Sequence, residues 1–241
     1  MNIRFDDQVA IVTGAGGGLG KEHALGLARR GAKVVVNDLG GGVDGSGASD
    51  AAKAVVDQII SEGGEAIANG ASVTDLEAVQ AMVNEAKEKW GRIDILVNNA
   101  GILRDKSFHK DTIKSFNAVM DVHFQGTLNC THTVYPIMRE QEFGRIIFTS
   151  SSSGVFGNFG QANYGSAKMA MVGLMNTLKL EGQKYNVFTN SITPVAYTRM
   201  TEGLIPEDFG KNMQPEHVTP AVLYLARKDA PKGVIMAAGA G

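Results

Sequence analysis

The stretch VAIVTGAGGGLG, Val9 to Gly20, decides the fold. Val9–Thr13 is a β-rich run of strand length, and TGAGGGLG leads from it straight into the helical pattern Leu19–Arg30. Bare glycines let a backbone turn tightly and approach a pyrophosphate, whose charge then faces the free N–H groups of a helix N-terminus. Gly14, Gly18, Leu19 and Gly20 are therefore candidate dinucleotide contacts. A Gly-rich string alone is a weak signal. Here strand and helix flank it, and Asp38 closes the next apolar run at about the 20-residue remove where a carboxylate accepts from ribose hydroxyls. Such a carboxylate repels a 2′-phosphate, and Gly17 supplies no cation within the turn, so NAD is expected rather than NADP. A helix or turn cap is the other reading of Asp38.

Working outward, β-rich runs at Val34–Asn37, Ala66–Asn69, Ile95–Asn98, Arg145–Thr149 and Val187–Thr193, with a weaker Val234–Ala238, alternate with longer helical patterns. Leu76–Trp90, Thr112–Met138 and Asn163–Tyr185 are long enough to be crossover helices. The order predicts an α/β fold, a Rossmann-like doubly wound parallel sheet flanked by helices, in a single domain over residues 1–241, with ligands at one edge. Leu39–Ser49 is a Gly/Ser/Asp loop that either folds over a ligand or is a tolerated insertion.

With 44% hydrophobic residues in 241 and a net charge of −2, the chain can bury one sizeable core and carries no charge bias toward nucleic acid or a membrane surface. No apolar run reaches the ~18 residues of a spanning helix, and MNIRFDDQVAIVTG has no secretory pattern. The single Cys130 cannot form an internal disulfide, which favours a reducing, cytoplasmic setting; the terminal GAG is neither a peroxisomal address nor a lipidation box. His23, His109, His132 and His217 are scattered, and no metal site is expected.

In GQANYGSAK, Gly160 to Lys168, Tyr164 and Lys168 lie one above the other on a helix. A phenol titrates near 10, and a fixed cation beside it lowers that by about 1–3, enough to move a proton near neutrality. A solvated helix face is the competing reading of the pair. In SSSSG, Ser150 to Gly154, four hydroxyls stand together. The charged string RDKSFHK, Arg104 to Lys110, is either a solvated loop or a contact for acyl-CoA phosphates.

TGAGGGLG, NNAG at Asn98–Gly101, Ser151 and Tyr164-x-x-x-Lys168 together resemble the short-chain dehydrogenase/reductase family, over nearly the whole chain. VVVNDLGG, AGILRDKSF and GVFGNFGQANY are similar, more narrowly, to its (3R)-hydroxyacyl-CoA dehydrogenase branch, known from the peroxisomal multifunctional β-oxidation enzyme and bacterial relatives. The resemblance implies that Tyr164 is the general acid/base, that Lys168 lowers its pKa and holds the nicotinamide ribose, and that Ser151 polarises the reacting oxygen. It leaves Ser150, Ser152 and Ser153 as turn serines. By the same likeness Ser72 and Val73 flank the adenine, after Ala71 where an acidic residue is usual. Asn98, Ala100 and Gly101 bring backbone close to the adenosine ribose, with a purely structural tie between strands as the other reading of Asn98, and PVAYTRM caps the nicotinamide, its backbone near Tyr197 facing the carboxamide and Thr198 near the phosphates, with Val195 in place of a common glycine. Many members carry an asparagine in the fourth crossover helix that holds a water of a proton relay; DVHFQG offers His123 there, either as its substitute or as a satisfied helix histidine aimed elsewhere.

The implied reaction is oxidation of a secondary alcohol, foremost (3R)-3-hydroxyacyl-CoA to 3-ketoacyl-CoA. A 3-ketoacyl-carrier-protein reductase, a steroid-type alcohol dehydrogenase and a catalytically silent dinucleotide-binding protein are the alternatives. Ala167, Ala170, Met171, Val172, Leu174, Met175, Leu178 and Leu180 cover more than one helix face and need a second surface, which the family resemblance implies is a homodimer or homotetramer contact and which enclosure within the chain's own subunit would also supply.

Overall fold

The computed structural model describes residues 3–44, 50–198, 207–210 and 212–239. The end of the Leu39–Ser49 loop, Arg199 and Met200 of PVAYTRM, and most of the Thr201–Met213 stretch lie outside the described residues. Seven parallel strands form one sheet: β1 Val9–Thr13, β2 Lys33–Asn37, β3 Glu65–Asn69, β4 Ile95–Asn98, β5 Gly144–Thr149, β6 Val187–Val195 and β7 Ile235–Gly239. Their order is β3-β2-β1-β4-β5-β6-β7. The chain builds outward from β1 to β3 and then returns to add β4 on the other side of β1, so the direction of winding reverses between β1 and β4.

Helices cover both faces, which explains why β1 and β2 read as unbroken apolar runs. Ala10 and Val12 of β1 face a core with Leu25, Leu27, Val222 and Leu225; Val9 and Ile11 face the other, with Val83, Val134, Met138 and Met171. The helices are α1 Gly18–Ala28, α2 Ala51–Ser61, α3 Leu76–Trp90, α4 Ile113–Met120, α5 Gly126–Glu140, α6 Ser152–Phe156, α7 Ala162–Gly182, α8 Glu207–Gly210 and α9 Thr219–Ala226. In α3 the ends are coded locally. Asp75 accepts the Ala78 N–H at 3.1 Å, and Gly91 stops the helix in left-handed backbone at φ 80°.

The pattern read as one helix over Thr112–Met138 is composite. Between α4 and α5 the residues Asp121–Gln125 form a π turn. Such a turn holds one extra residue and re-aims the side chains within it, and it is enriched at functional sites. His123 lies in this turn. Val195 ends β6 in pairing with Gly239, in extended backbone that needs no glycine. Among the described residues no helix is long and apolar enough to cross a membrane.

Candidate active site

The Gly-rich turn packs directly on the end of β4. Gly14 has φ 63°, and a Cβ there would lie 2.8 Å from Ala100 Cα; a Cβ on Gly20 would overlap the Gly14 carbonyl oxygen. The two strand ends are also sewn together. Asn99 Nδ2 donates to the Thr13 and Gly14 carbonyls at 3.1 and 3.0 Å, and Thr13 Oγ1 accepts the N–H groups of Asn99 and Ala100 at 3.0 and 3.1 Å. This fixes the N-terminus of α1 against NNAG.

A cleft opens at this reversal point. Gly14, Gly17, Gly18 and Leu19 line one wall, Asp38, Leu39 and Gly41–Val43 a second, and Ala71–Val73, Asn99–Ile102, Val122 and Thr198 the rest. Asp38 spans the two readings of its carboxylate. Oδ2 accepts from Gly16 N–H and Oδ1 from Gly40 N–H, both at 2.7 Å, so the residue caps the turn. Each oxygen keeps a further lone pair for a hydroxyl in the cleft. The Ala71–Val73 wall is held without an acidic residue. Ala71 donates to Asn69 Oδ1 and accepts from Asn37 Nδ2, and Val73 accepts from Asn129 Nδ2, all at 2.9 Å.

Gly20, Asn98 and Tyr197 do not line the cleft. Gly20 lies beneath the turn. Asn98 is buried and donates to Thr131 Oγ1 at 3.1 Å, which ties β4 to α5. Tyr197 spends its N–H on the Met213 carbonyl at 2.6 Å, and its ring packs over Gly210. Thr198 does line the cleft, its methyl beside Gly18.

Beside the cleft, α7 carries Tyr164 and, one turn on, Lys168. Lys168 is 2% exposed; its Nζ lies 5.4 Å from the Tyr164 ring centre and donates to the Thr149 carbonyl at 2.6 Å. Burial pulls its pKa down to about 7. The expectation that Lys168 lowers the phenol pKa is not met here. Burial raises Tyr164 above the ordinary phenol value, with Asp105 adding to the rise and a hydrogen bond with Ser151 opposing it. The physical reason is that an enclosed phenolate is costly, while burial lowers the pKa of the neighbouring amine. Ser151 also caps α6, accepting Ser153 N–H at 3.1 Å, and Ser150 donates to the Lys168 carbonyl at 3.0 Å.

His123 is 1% exposed, with its ring edge-on to Tyr164 at 5.1 Å between centres. Its Nε2 lies 2.8 Å from the Ile102 carbonyl oxygen and 3.1 Å from the Ile102 nitrogen, while Nδ1 finds no partner among the described residues. A Cβ on Gly101 would overlap the ring. Burial, then the Lys168 charge, pushes the imidazole pKa well below its usual value, against the Ile102 bond. The ring is neutral and joins the cleft wall to the phenol.

Ser151, Tyr164, Lys168 and His123 thus form one cluster beside the cleft. The sequence profile of short chain dehydrogenases matches residues 8–208. The chain belongs to the short-chain dehydrogenase family. Peroxisomal multifunctional enzyme type 2 of Drosophila melanogaster is 52% identical over 94% of this chain and 38% of its own length. The peroxisomal hydratase-dehydrogenase-epimerase of Saccharomyces cerevisiae is 53% identical over 94% of the chain and 25% of its own length. The chain therefore spans between a quarter and two fifths of these two relatives. Among solved structures, a 7α-hydroxysteroid dehydrogenase complexed with NADH and 7-oxo glycochenodeoxycholic acid superposes with a TM-score of 0.89 at 31% identity, covering 100% of this chain and 96% of that one.

Sequence reasoning missed several residues that shape this short-chain dehydrogenase site. Asn99 sits inside the quoted NNAG, yet only its bonds to Thr13 and Gly14 reveal its clamp. Asn37, Asn129 and Ile102 act through contacts with distant segments, for which a lone sequence carries no local signal. Among the described residues, no group of three or more His, Cys, Asp or Glu is placed to hold a metal.

Proposed function

We propose that this chain is an NAD-dependent dehydrogenase that oxidises the 3-hydroxyl of a (3R)-3-hydroxyacyl-CoA to the 3-ketoacyl-CoA, reversibly. The observation that carries the reading is the buried cluster of Tyr164 with Lys168 Nζ 5.4 Å from its ring centre and His123 against its ring, beside a cleft whose Gly-rich turn can receive a pyrophosphate. Bare backbone at Gly14, Gly17 and Gly18 suits close approach of phosphates, and Asp38 suits a free 2′-hydroxyl, which favours NAD over NADP. Bound NAD supplies the hydride acceptor. The protein's own work is to orient the alcohol and take one proton. Ser151 donates to the substrate oxygen, Tyr164 removes its proton, and the protonated form of Lys168 favours the phenolate. A positioned base of this kind contributes about 10²–10⁴ in rate.

The thioester substrate is supported by the long shared strings and by two relatives, one named a peroxisomal multifunctional enzyme and the other a peroxisomal hydratase-dehydrogenase-epimerase. A steroid-type alcohol is the second reading, supported by the likeness to a hydroxysteroid dehydrogenase. A 3-ketoacyl-carrier-protein substrate would use the same groups, while the complete Ser151, Tyr164 and Lys168 set weighs against a silent binder. The whole chain is read as one domain. A homodimer or homotetramer is supported by α7, whose Met169 and Leu180 are 47% and 70% exposed while Met171, Val172 and Met175 are buried. The lone, buried Cys130 supports a reducing compartment, cytoplasmic in the first instance; two relatives carry peroxisomal names, and imaging the tagged chain separates the two.

The test is NADH formation by the purified chain with NAD and (3R)-3-hydroxyacyl-CoA, beside the (3S) enantiomer, NADP and Tyr164→Phe. Turnover confined to the (3R) substrate with NAD, and lost in the variant, is the expected outcome. NADH binding without turnover of the thioester sinks the acyl-CoA reading and moves steroids forward.

A further inference from the structure

The strand order forces a crossing. The segment Gly40–Asp44 leaves the end of β2 and is bonded to residues beyond the end of β4, and β1 lies between those two strands. At about 4.8 Å per strand, the segment spans roughly 10 Å over the end of β1, where the Gly-rich turn begins. Gly41, Gly42 and Val43 line the cleft from this strap, facing Gly17, Gly18 and Ile102.

Its far end is fastened by polar bonds. Val43 accepts the Leu103 N–H at 3.0 Å, and Asp44 O accepts from Arg104 Nη2 and Nε at 3.1 and 3.4 Å. At its near end Gly40 N–H is held by Asp38 at 2.7 Å. Three successive glycines give the strap no side chain to pack, and Leu39 before them is 50% exposed. The glycines leave the two bonded ends to hold the strap in place.

We propose that Arg104 is a positioning residue that fastens the Gly40–Asp44 strap over the middle of a bound dinucleotide, and that release of reduced cofactor requires this fastening to open. The inference rests on the dinucleotide reading above. A dinucleotide lying along the strand ends, from the Ala71–Val73 wall to the Asn99–Ile102 wall, has to pass beneath the strap. The string Arg104–Lys110, read from sequence as a solvated loop or a phosphate contact, thereby gains a different role at its first residue.

The experiment is stopped-flow displacement of NADH fluorescence by excess NAD, on the whole chain and on Arg104→Ala and Arg104→Lys. Loss of one hydrogen bond of about 1.4 kcal/mol corresponds to about tenfold faster release in Arg104→Ala. Arg104→Lys, which keeps a cation and one donor, is expected to release NADH at an intermediate rate; if the alanine variant does not fold, its severalfold effect carries the test. A merely structural role would shift the melting midpoint and leave the release rate in place. Release within twofold of the unaltered chain in the folded variants overturns the strap alone. An unaltered chain that binds no NADH overturns the strap and the dinucleotide reading together.

Discussion

Replacing Lys168 by Met removes the residue that the proposed chemistry needs and is expected to make the fold more stable. Burial pulls the Lys168 pKa from the ordinary 10.5 to about 7. A base with a lowered folded pKa binds fewer protons folded than unfolded between those two values, so its contribution to stability rises with pH across that window. Below pH 7 both states are protonated and the full penalty applies. Near pH 7 it is about 4 kcal/mol, and by pH 10.5 it has fallen below about 1 kcal/mol. The charged bond to the Thr149 carbonyl, 2.6 Å long, returns about 1.5–3 kcal/mol of this. Met fills a similar volume without charge. Lys168→Met should therefore gain about 2 kcal/mol at pH 7, read as an upward shift of the urea midpoint at unchanged slope. The gain should shrink and then reverse toward pH 10.5, where the lost bond is all that remains. A variant less stable than the parent at pH 7, or a gain independent of pH, refutes the account of Lys168 as a desolvated ammonium.

Three further outcomes follow from the same geometry. Asp38→Asn keeps an oxygen for one of the Gly16 and Gly40 amides but removes the charge; the ratio of kcat/KM for NAD over NADP should fall about tenfold, and an unchanged ratio removes Asp38 from cofactor choice. Gly20→Ala drives a methyl into the Gly14 carbonyl, backbone that cannot move aside; urea unfolding should register a loss of about 1–3 kcal/mol, with weaker NADH binding by fluorescence titration. His123→Asn is too short to hold Ile102 while touching Tyr164, so turnover should drop about tenfold with an altered pH profile; parent-like turnover and profile would take His123 out of the mechanism.

The fold was legible because its signals are local. β1 and its glycines, the apolar runs of β2, β4 and β5, and the Asp75 and Gly91 ends of α3 each encode their own geometry within a few residues. Tyr164 and Lys168 were legible for the same reason, since one helical turn fixes their relation. What the sequence hid is what depends on distant pieces. The π turn at Asp121–Gln125 breaks a pattern that reads as one helix, and only its packing on Ile102 shows where His123 is aimed. The Arg104 bond to Asp44 joins residues 60 apart and goes to a backbone carbonyl, which any residue could supply. The electrostatic error has the same root. Spacing puts a cation beside a phenol, but the sign of the phenol's shift depends on how much water reaches both groups, and burial raises the Tyr164 pKa while it lowers that of Lys168.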